Sequence, residues 1–310
     1  WCDSLAKAPS RRLPGDRRLG RRPYCRPGSG RRPVPNRPSR CYPRSVPVDR
    51  VMPPGPAVAP RGDPVGRLRR WLGAAPADPP TAADRATVDV LGLALPVRAT
   101  IASLVVVTVV ALDWNRVFIP REILDLGRAP EAMRYQAGVR FVLTGLVPLA
   151  VVLGLFRDHP GRYGLRLGDW RFGLVAALAG VAAMVPVVVG LAGLPDFQTY
   201  YRPMVAPPVE VLLTNLLELP AAEFLFRGFL LFALVRAIGP FGVVVATIPF
   251  AFGHLGKPEL ELLSTFFGGL AYGWLAWRTG SLLWGAVAHV AILTLLVVAI
   301  GSVGAVGAGG

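Results

Sequence analysis

The run LLWGAVAHVAILTLLVV, residues 282–298, decides the fold class. It contains no Asp, Glu, Lys or Arg, and it approaches the roughly 20 apolar residues that a helix needs to cross the hydrocarbon core of a bilayer. Six similar apolar runs precede it, at residues 99–112, 141–156, 172–194, 209–235, 241–252 and 260–277. The sequence therefore predicts an all-α fold, a polytopic transmembrane bundle of about seven to eight helices.

The composition also favours a membrane protein. Of the 310 residues, 53% are hydrophobic and 17% are charged, whereas an average soluble chain is about a quarter charged. The net charge of +15 is typical of a nucleic-acid-binding protein, but 18 of the 34 basic residues lie within positions 1–70. We therefore expect the apolar domain to contact membrane lipids and not to bind nucleic acid.

The N-terminal segment, residues 1–84, is rich in Arg, Pro and Gly and lacks apolar periodicity. Such a segment cannot bury enough surface to offset its chain entropy, so it is predicted to be a disordered basic tail. The chain begins with Trp1, and a mis-called start with Met52 as the true first residue is an equal alternative. Residues 85–310 are predicted to form the transmembrane helical domain.

Ionisable residues inside apolar runs are costly in a bilayer and therefore mark candidate functional sites. Such residues lie in or beside three of the runs and are Glu218, Glu223, Arg227, His254 and His289. Glu223 and Arg227 are four residues apart and share one helix face, which is equally consistent with a structural ion pair. His289 has apolar neighbours on both sides, so its ring nitrogens need a partner on another helix.

Together, these groups on three helices suit two kinds of chemistry. Two histidines and a carboxylate can bind a divalent metal such as zinc, for which Glu223, His254 and His289 are the candidate ligands. The same residue types can instead activate a water molecule by general base catalysis. The residues alone leave both open.

Three motifs resemble those of the CPBP family, which comprises CAAX proteases and bacteriocin-processing (Abi) enzymes. Residues 222–228, Ala-Glu-Phe-Leu-Phe-Arg-Gly, are similar to its Glu-Glu-x-x-x-Arg motif, and residues 250–254 match its Phe-x-x-x-His. Residues 267–282 are similar to the segment that precedes the last motif, and His289 stands in place of the final histidine. The order and spacing agree over about residues 205–300.

The resemblance implies a multi-pass protein of the bacterial plasma membrane that hydrolyses peptide bonds of membrane-associated proteins. The family includes the type II CAAX prenyl endopeptidases and carries the name of a metalloprotease, which makes a divalent metal (zinc) the implied cofactor. Its first motif glutamate and the histidine corresponding to His254 activate water. Its last histidine, here His289, and an asparagine four residues later stabilise the oxyanion. Arg227 and Phe250 are supporting motif residues.

The chain departs from the family at two of these positions. The first motif glutamate is Ala222, and the asparagine is Leu293. One interpretation is an active endopeptidase in which Glu223, or Glu218 one helical turn before Ala222, activates the water. The other is a catalytically silent relative that binds membrane partners or confers immunity or regulation.

Overall fold

The computed structural model describes Gly73 and residues 78–307, with side chains as far as Val303. The first part of this region contains one short hairpin and six helices. They are α1 (Ala82–Arg85), β1 (Thr87–Val90), β2 (Leu93–Pro96), α2 (Val97–Trp114), α3 (Arg121–Asp125), α4 (Pro130–Leu155, which includes two π-helical stretches), a 3-10 turn (Pro160–Tyr163), α5 (Trp170–Ala192), α6 (Pro195–Tyr201) and a second 3-10 turn (Arg202–Met204).

The remaining elements contain the candidate site residues. They are α7 (Pro208–Glu223), a π-helical segment (Phe224–Leu230), α8 (Leu231–Ile238), α9 (Phe241–Phe252), α10 (Glu259–Thr279) and α11 (Leu283–Gly307). α7, the π-helical segment and α8 follow one another without a break, so they form one long helix with a wider turn in its middle. In the π-helical segment the backbone bonds run from i to i+5, which changes the direction in which the following side chains point.

Each of the seven predicted apolar runs forms a helix, and the all-α bundle is confirmed. Among the described residues, four helices are long and apolar enough to cross a membrane; they are Val97–Trp114, Pro130–Leu155, Trp170–Ala192 and Leu283–Val303. α9 is apolar but shorter. α7 does not meet this criterion, because it has only 16 residues and contains three glutamates. Two of these glutamates, Glu218 and Glu223, are candidate site residues.

The described region begins earlier than the sequence predicts. Thr81 and Asp84 cap α1 reciprocally, and Asp84 is buried. β1 and β2 then pair in antiparallel register from Thr87↔Pro96 to Val90↔Leu93. Placing the end of a disordered tail at residue 84 is therefore wrong for residues 78–84. The rest of the predicted tail, Gly73 excepted, lies outside the described residues, as do its cysteines and Met52.

Asp84 joins three distant parts of the chain at one end of the bundle. Its carboxylate oxygens lie 2.8 Å from Arg98 Nη1 and 2.8 Å from Arg162 Nη2, and Oδ1 lies 3.3 Å from Arg236 Nε. Asp158 accepts from Arg98 and Arg162 at 2.8 and 2.6 Å. We call these five residues the Asp84 cluster. It attaches α1 to the start of α2, to the turn after α4 and to the end of α8.

The charge balance of this cluster affects the ionisation of Asp84. Burial by itself raises the pKa of the Asp84 carboxyl. The hydrogen bonds that it accepts from Thr81, Arg162 and Arg98 outweigh burial, so the pKa lies well below its ordinary value. Asp84 is therefore ionised in the folded protein at all ordinary pH values.

Gly228 lets the long helix approach the turn that contains Tyr163. A Cβ atom on Gly228 would lie 2.7 Å from the Tyr163 carbonyl oxygen, 2.7 Å from Phe224 Cδ2 and 2.8 Å from Leu282 Cδ2. The backbone carbonyl cannot move away as a flexible side chain could. We expect Gly228→Ala to lower the free energy of unfolding by about 1–3 kcal/mol, measured as a fall in the unfolding midpoint in detergent.

Gly180 in α5 provides a matched control for this substitution. Nothing lies within 4 Å of a Cβ built on Gly180. Gly180→Ala should therefore stabilise the protein by about 0.5–1 kcal/mol, because alanine loses less backbone conformational entropy than glycine on folding. If Gly228→Ala were as stable as Gly180→Ala, the close approach at Gly228 would be refuted.

Candidate functional site

Glu223, at the end of α7, is the centre of a buried polar group. Its Oε1 accepts a hydrogen bond from Arg227 Nη1 at 3.2 Å and lies 2.8 Å from His289 Nδ1 on α11. A carboxylate paired with a guanidinium has only acceptor atoms, so the proton of this second bond belongs to His289 Nδ1. When the His289 ring is neutral, its lone pair is therefore on Nε2.

The Glu223–Arg227 pair is almost completely enclosed by protein. Glu223 is 1% exposed and Arg227 2% exposed. The Arg227 guanidinium lies 3.5 Å from the centroid of the Phe250 ring, at a cation–π distance. Phe250 thus supports Arg227, which balances the charge of Glu223. This geometry agrees with the structural ion pair that the four-residue spacing predicts.

His254 lies just beyond the end of α9 and is held in a similar way. Its Nδ1 lies 2.9 Å from the Phe250 carbonyl oxygen, and since a carbonyl can only accept, Nδ1 carries the proton. The Phe250 ring contacts both histidines, with centroids 4.4 Å from His254 and 6.3 Å from His289. In each imidazole Nδ1 carries a proton, so the neutral form of each ring has its lone pair on Nε2, and both rings adjoin Phe250.

A cavity of about 510 Å³ adjoins the two histidines. Its wall includes Ala222, His254, His289 and Leu293, whereas neither Glu223 nor Arg227 is among the described residues that line it. The Ala222 methyl group thus meets the cavity at the position of the first motif glutamate. Glu223 instead bonds His289 through the ring nitrogen Nδ1.

Glu218 lies one turn before Ala222 and also lines the cavity. Its Oε1 accepts a hydrogen bond from Arg140 Nη1 of α4 at 2.6 Å, and Arg140 bonds Asp113 of α2 as well. The sequence predicts Glu218 near the cavity but does not indicate this partner. Glu218 thus forms a charge-assisted hydrogen bond in the cavity wall.

The structure does not bring Glu223, His254 and His289 together as a metal centre. Among residues 78–303, whose side chains are described, no three His, Cys, Asp or Glu side chains are close enough to hold a metal ion. Glu223 is not among the described residues that line the cavity, and His289 uses its Nδ1 to bind it. These residues do not fit a zinc site, and we derive no step through a metal.

Asn215 is a cavity residue that sequence reasoning missed. It lies on α7, 8% exposed, and its Nδ2 donates to Thr294 Oγ1 on α11 at 3.0 Å. Positions 215, 218 and 222 are three and four residues apart, so their side chains share one helix face. That spacing was the available signal: an asparagine in line with Glu218 and Ala222.

One known family matches the part of the chain that contains most of these residues. Residues 204–295 match the family described as type II CAAX prenyl endopeptidase Rce1-like. The predicted resemblance is confirmed over this region. The matched region includes α7 to α10 and the first half of α11, and it contains the site residues Glu218, Glu223, Arg227, Phe250, His254 and His289. No curated protein and no solved structure matches the chain. The four apolar helices indicate a membrane protein, and residues 204–295 are similar to a family of endopeptidases.

Proposed function

We propose that this protein is a multi-pass endopeptidase of the plasma membrane that cleaves membrane-associated protein segments, with His289 as the general base. The observation that carries the proposal is the 2.8 Å contact between His289 Nδ1 and Glu223 Oε1. It fixes the ring in the tautomer whose Nε2 accepts a proton, and it places a carboxylate where an imidazolium would form. Glu223 is a positioning residue in this arrangement.

The reaction follows from the position of the protons. His289 Nε2 removes a proton from a water molecule in the cavity while the water oxygen attacks the peptide carbonyl carbon. The carboxylate of Glu223 stabilises the imidazolium that results. The same proton then passes to the amine of the leaving peptide as the carbon–nitrogen bond breaks. His254, also with a free Nε2, lies beside the cavity as a second acceptor for the water.

The position of Glu218 makes it a less suitable base than His289. Its Oε1 bonds Arg140, so a proton transferred to Glu218 would neutralise the charge that this cavity-facing arginine pairs with. Glu223 is also a less suitable base, because it is not among the described residues that line the cavity and its Oε1 already bonds Arg227 and His289. The proposal therefore gives the role of the missing motif glutamate to a histidine.

The second candidate is a silent relative that binds membrane proteins without cleaving them. It is favoured by the fact that Ala222 and Leu293, the two departures from the family motifs, both line the cavity. The two functions differ in one observable, which is cleavage by the unaltered protein.

Ala222→Glu separates the two candidates. If His289 is the base, the unaltered protein cleaves a membrane-anchored reporter, and Ala222→Glu changes the rate by less than about tenfold because general base catalysis of about 10²–10⁴ is already present. Ala222→Gln is the matched control of equal size without a charge. Cleavage that appears only in Ala222→Glu would establish the silent relative instead.

A further inference from the structure

Asn215 lies where this chain needs an amide and the family motif no longer supplies one. The motif asparagine would stand at position 293, four residues after His289, and Leu293 occupies it. Four residues correspond to about 6 Å along a helix axis, and Thr294 is about 7.5 Å from the level of His289. Because Asn215 Nδ2 is 3.0 Å from Thr294 Oγ1, its amide lies within about one residue of the missing asparagine's level.

The contacts between α7 and α11 support this placement. Glu223 meets His289, and Asn215, nearer the start of α7, meets Thr294, nearer the end of α11. The two helices are therefore antiparallel, and the amide belongs to α7 instead of α11. Thr294 itself is about 100° around the helix from position 293, so its hydroxyl holds the amide of Asn215 while Leu293 faces the cavity.

The hydrogen-bonding capacity of Asn215 exceeds what Thr294 uses. An asparagine amide has two N–H donors and one carbonyl acceptor, and one N–H goes to Thr294. Among the described residues this is the one hydrogen bond that the Asn215 side chain makes, and the residue lines the cavity. The second N–H is thus available to a group that enters the cavity. A purely structural bond between the two helices would not require it.

We propose that Asn215 is a catalytic residue that donates this N–H to the carbonyl oxygen of the scissile peptide bond. The inference rests on the proposed endopeptidase function. As the water oxygen bonds to the carbonyl carbon and its proton moves to His289 Nε2, the carbonyl electron pair moves onto the oxygen, and the N–H of Asn215 stabilises that charge. When the tetrahedral intermediate collapses, the electron pair returns to form the carbonyl and the carbon–nitrogen bond breaks. His289 then gives its proton to the leaving amine. Thr294 positions the amide.

Four variants of the full-length protein, assayed on a membrane-anchored peptide reporter, test this role. Asn215→Leu should lower kcat by about 100-fold, the usual loss for one oxyanion donor, with KM changed less than about threefold. Thr294→Val should lower kcat by less than about tenfold, because the amide remains but is no longer held. The decisive variant adds Leu293→Asn to Asn215→Leu and should restore kcat by at least about tenfold.

The fourth variant, His289→Ala, distinguishes failure of this inference from failure of the proposed function. Cleavage lost in His289→Ala but kept in Asn215→Leu removes only the inference, whereas no cleavage by the unaltered protein removes both. The unfolding midpoint of each variant, measured in detergent, separates catalysis from folding. If Asn215→Leu kept its kcat, the inference would be overturned. It would also be overturned if Asn215→Leu had a lower unfolding midpoint and adding Leu293→Asn to it restored no kcat, because Asn215 would then be a structural residue.

Discussion

His289→Ala is expected to lower kcat for reporter cleavage by about 10³–10⁴, near the upper limit for the loss of a general base. Alanine removes the Nε2 acceptor from the cavity and leaves Glu223 with Arg227 as its remaining hydrogen-bonding partner among the described residues. KM should change little, because most of the cavity wall is unaltered. The measurement is single-turnover cleavage of a peptide reporter in membranes, at equal protein levels.

Glu223→Gln tests the same contact from its other side. A glutamine has nearly the same shape, but its NH₂ group can donate to His289 Nδ1 and so favour the tautomer that carries its proton on Nε2. In the Ser-His-Asp triad of serine proteases, replacing the carboxylate beside the catalytic histidine by an amide costs about 10⁴ in kcat for this reason. We expect a kcat within about tenfold of that of His289→Ala.

His159→Ala is the matched control for these substitutions. His159 is the third histidine of the chain and caps the 3-10 turn Pro160–Tyr163 through its Nδ1, which accepts from the Gly161 backbone. It lies beside Asp158 of the Asp84 cluster, and the cavity is lined by other residues. Its kcat should equal that of the unaltered protein. Equal cleavage by His289→Ala and His159→Ala would refute His289 as the base.

Much of this site could be predicted from local rules. A four-residue spacing places Glu223 and Arg227 on one face, and they form the ion pair. The cost of a lone polar group in an apolar run predicts a partner for His289 on another helix, and that prediction is confirmed by Glu223. Both conclusions follow from residues that are close in sequence or from the properties of one side chain.

The direction in which each carboxylate faces could not be predicted. It depends on how α7 is rotated in the bundle and on the π-helical segment that begins directly after Glu223. The bond from Glu218 to Arg140 joins residues 78 positions apart, and no local pattern indicates such a pair. For the same reason the sequence identifies Ala222 as a missing base without indicating that Asn215 shares its cavity.

The N-terminal boundary is wrong because composition is the only signal there. Residues 78–84 follow a Pro- and Arg-rich stretch and resemble it, so composition assigns them to the tail. What orders them is one carboxylate, Asp84, which receives arginines from positions 98, 162 and 236. Charge pairing over such separations depends on the folded bundle and leaves no trace in local hydrophobicity.

Asp84→Asn should have the largest effect on stability. It keeps the size of the side chain but removes the charge that three arginines share, of which Arg236 has a side chain only 2% exposed. Removing one partner of a buried ion pair costs about 3–5 kcal/mol, because the remaining charge is left uncompensated. We expect a large fall in the unfolding midpoint in detergent, whereas Asp125→Asn, at an exposed position of α3, should change it little.

The pH dependence of unfolding gives the same cluster a second, independent test. The folded-state pKa of Asp84 is lowered, so the stability that its ionisation contributes is fully present above the unfolded-state pKa of about 3.9 and is lost as pH falls towards the folded-state value. The unaltered protein should therefore lose stability more steeply below about pH 4 than Asp84→Asn, which has no carboxyl to protonate there. Parallel acid profiles for the two proteins, or an unfolding midpoint of Asp84→Asn equal to that of Asp125→Asn, would show that the arginines are held by other groups. In that case Asp158, which already bonds Arg98 and Arg162, would be the carboxylate that orders this end of the bundle.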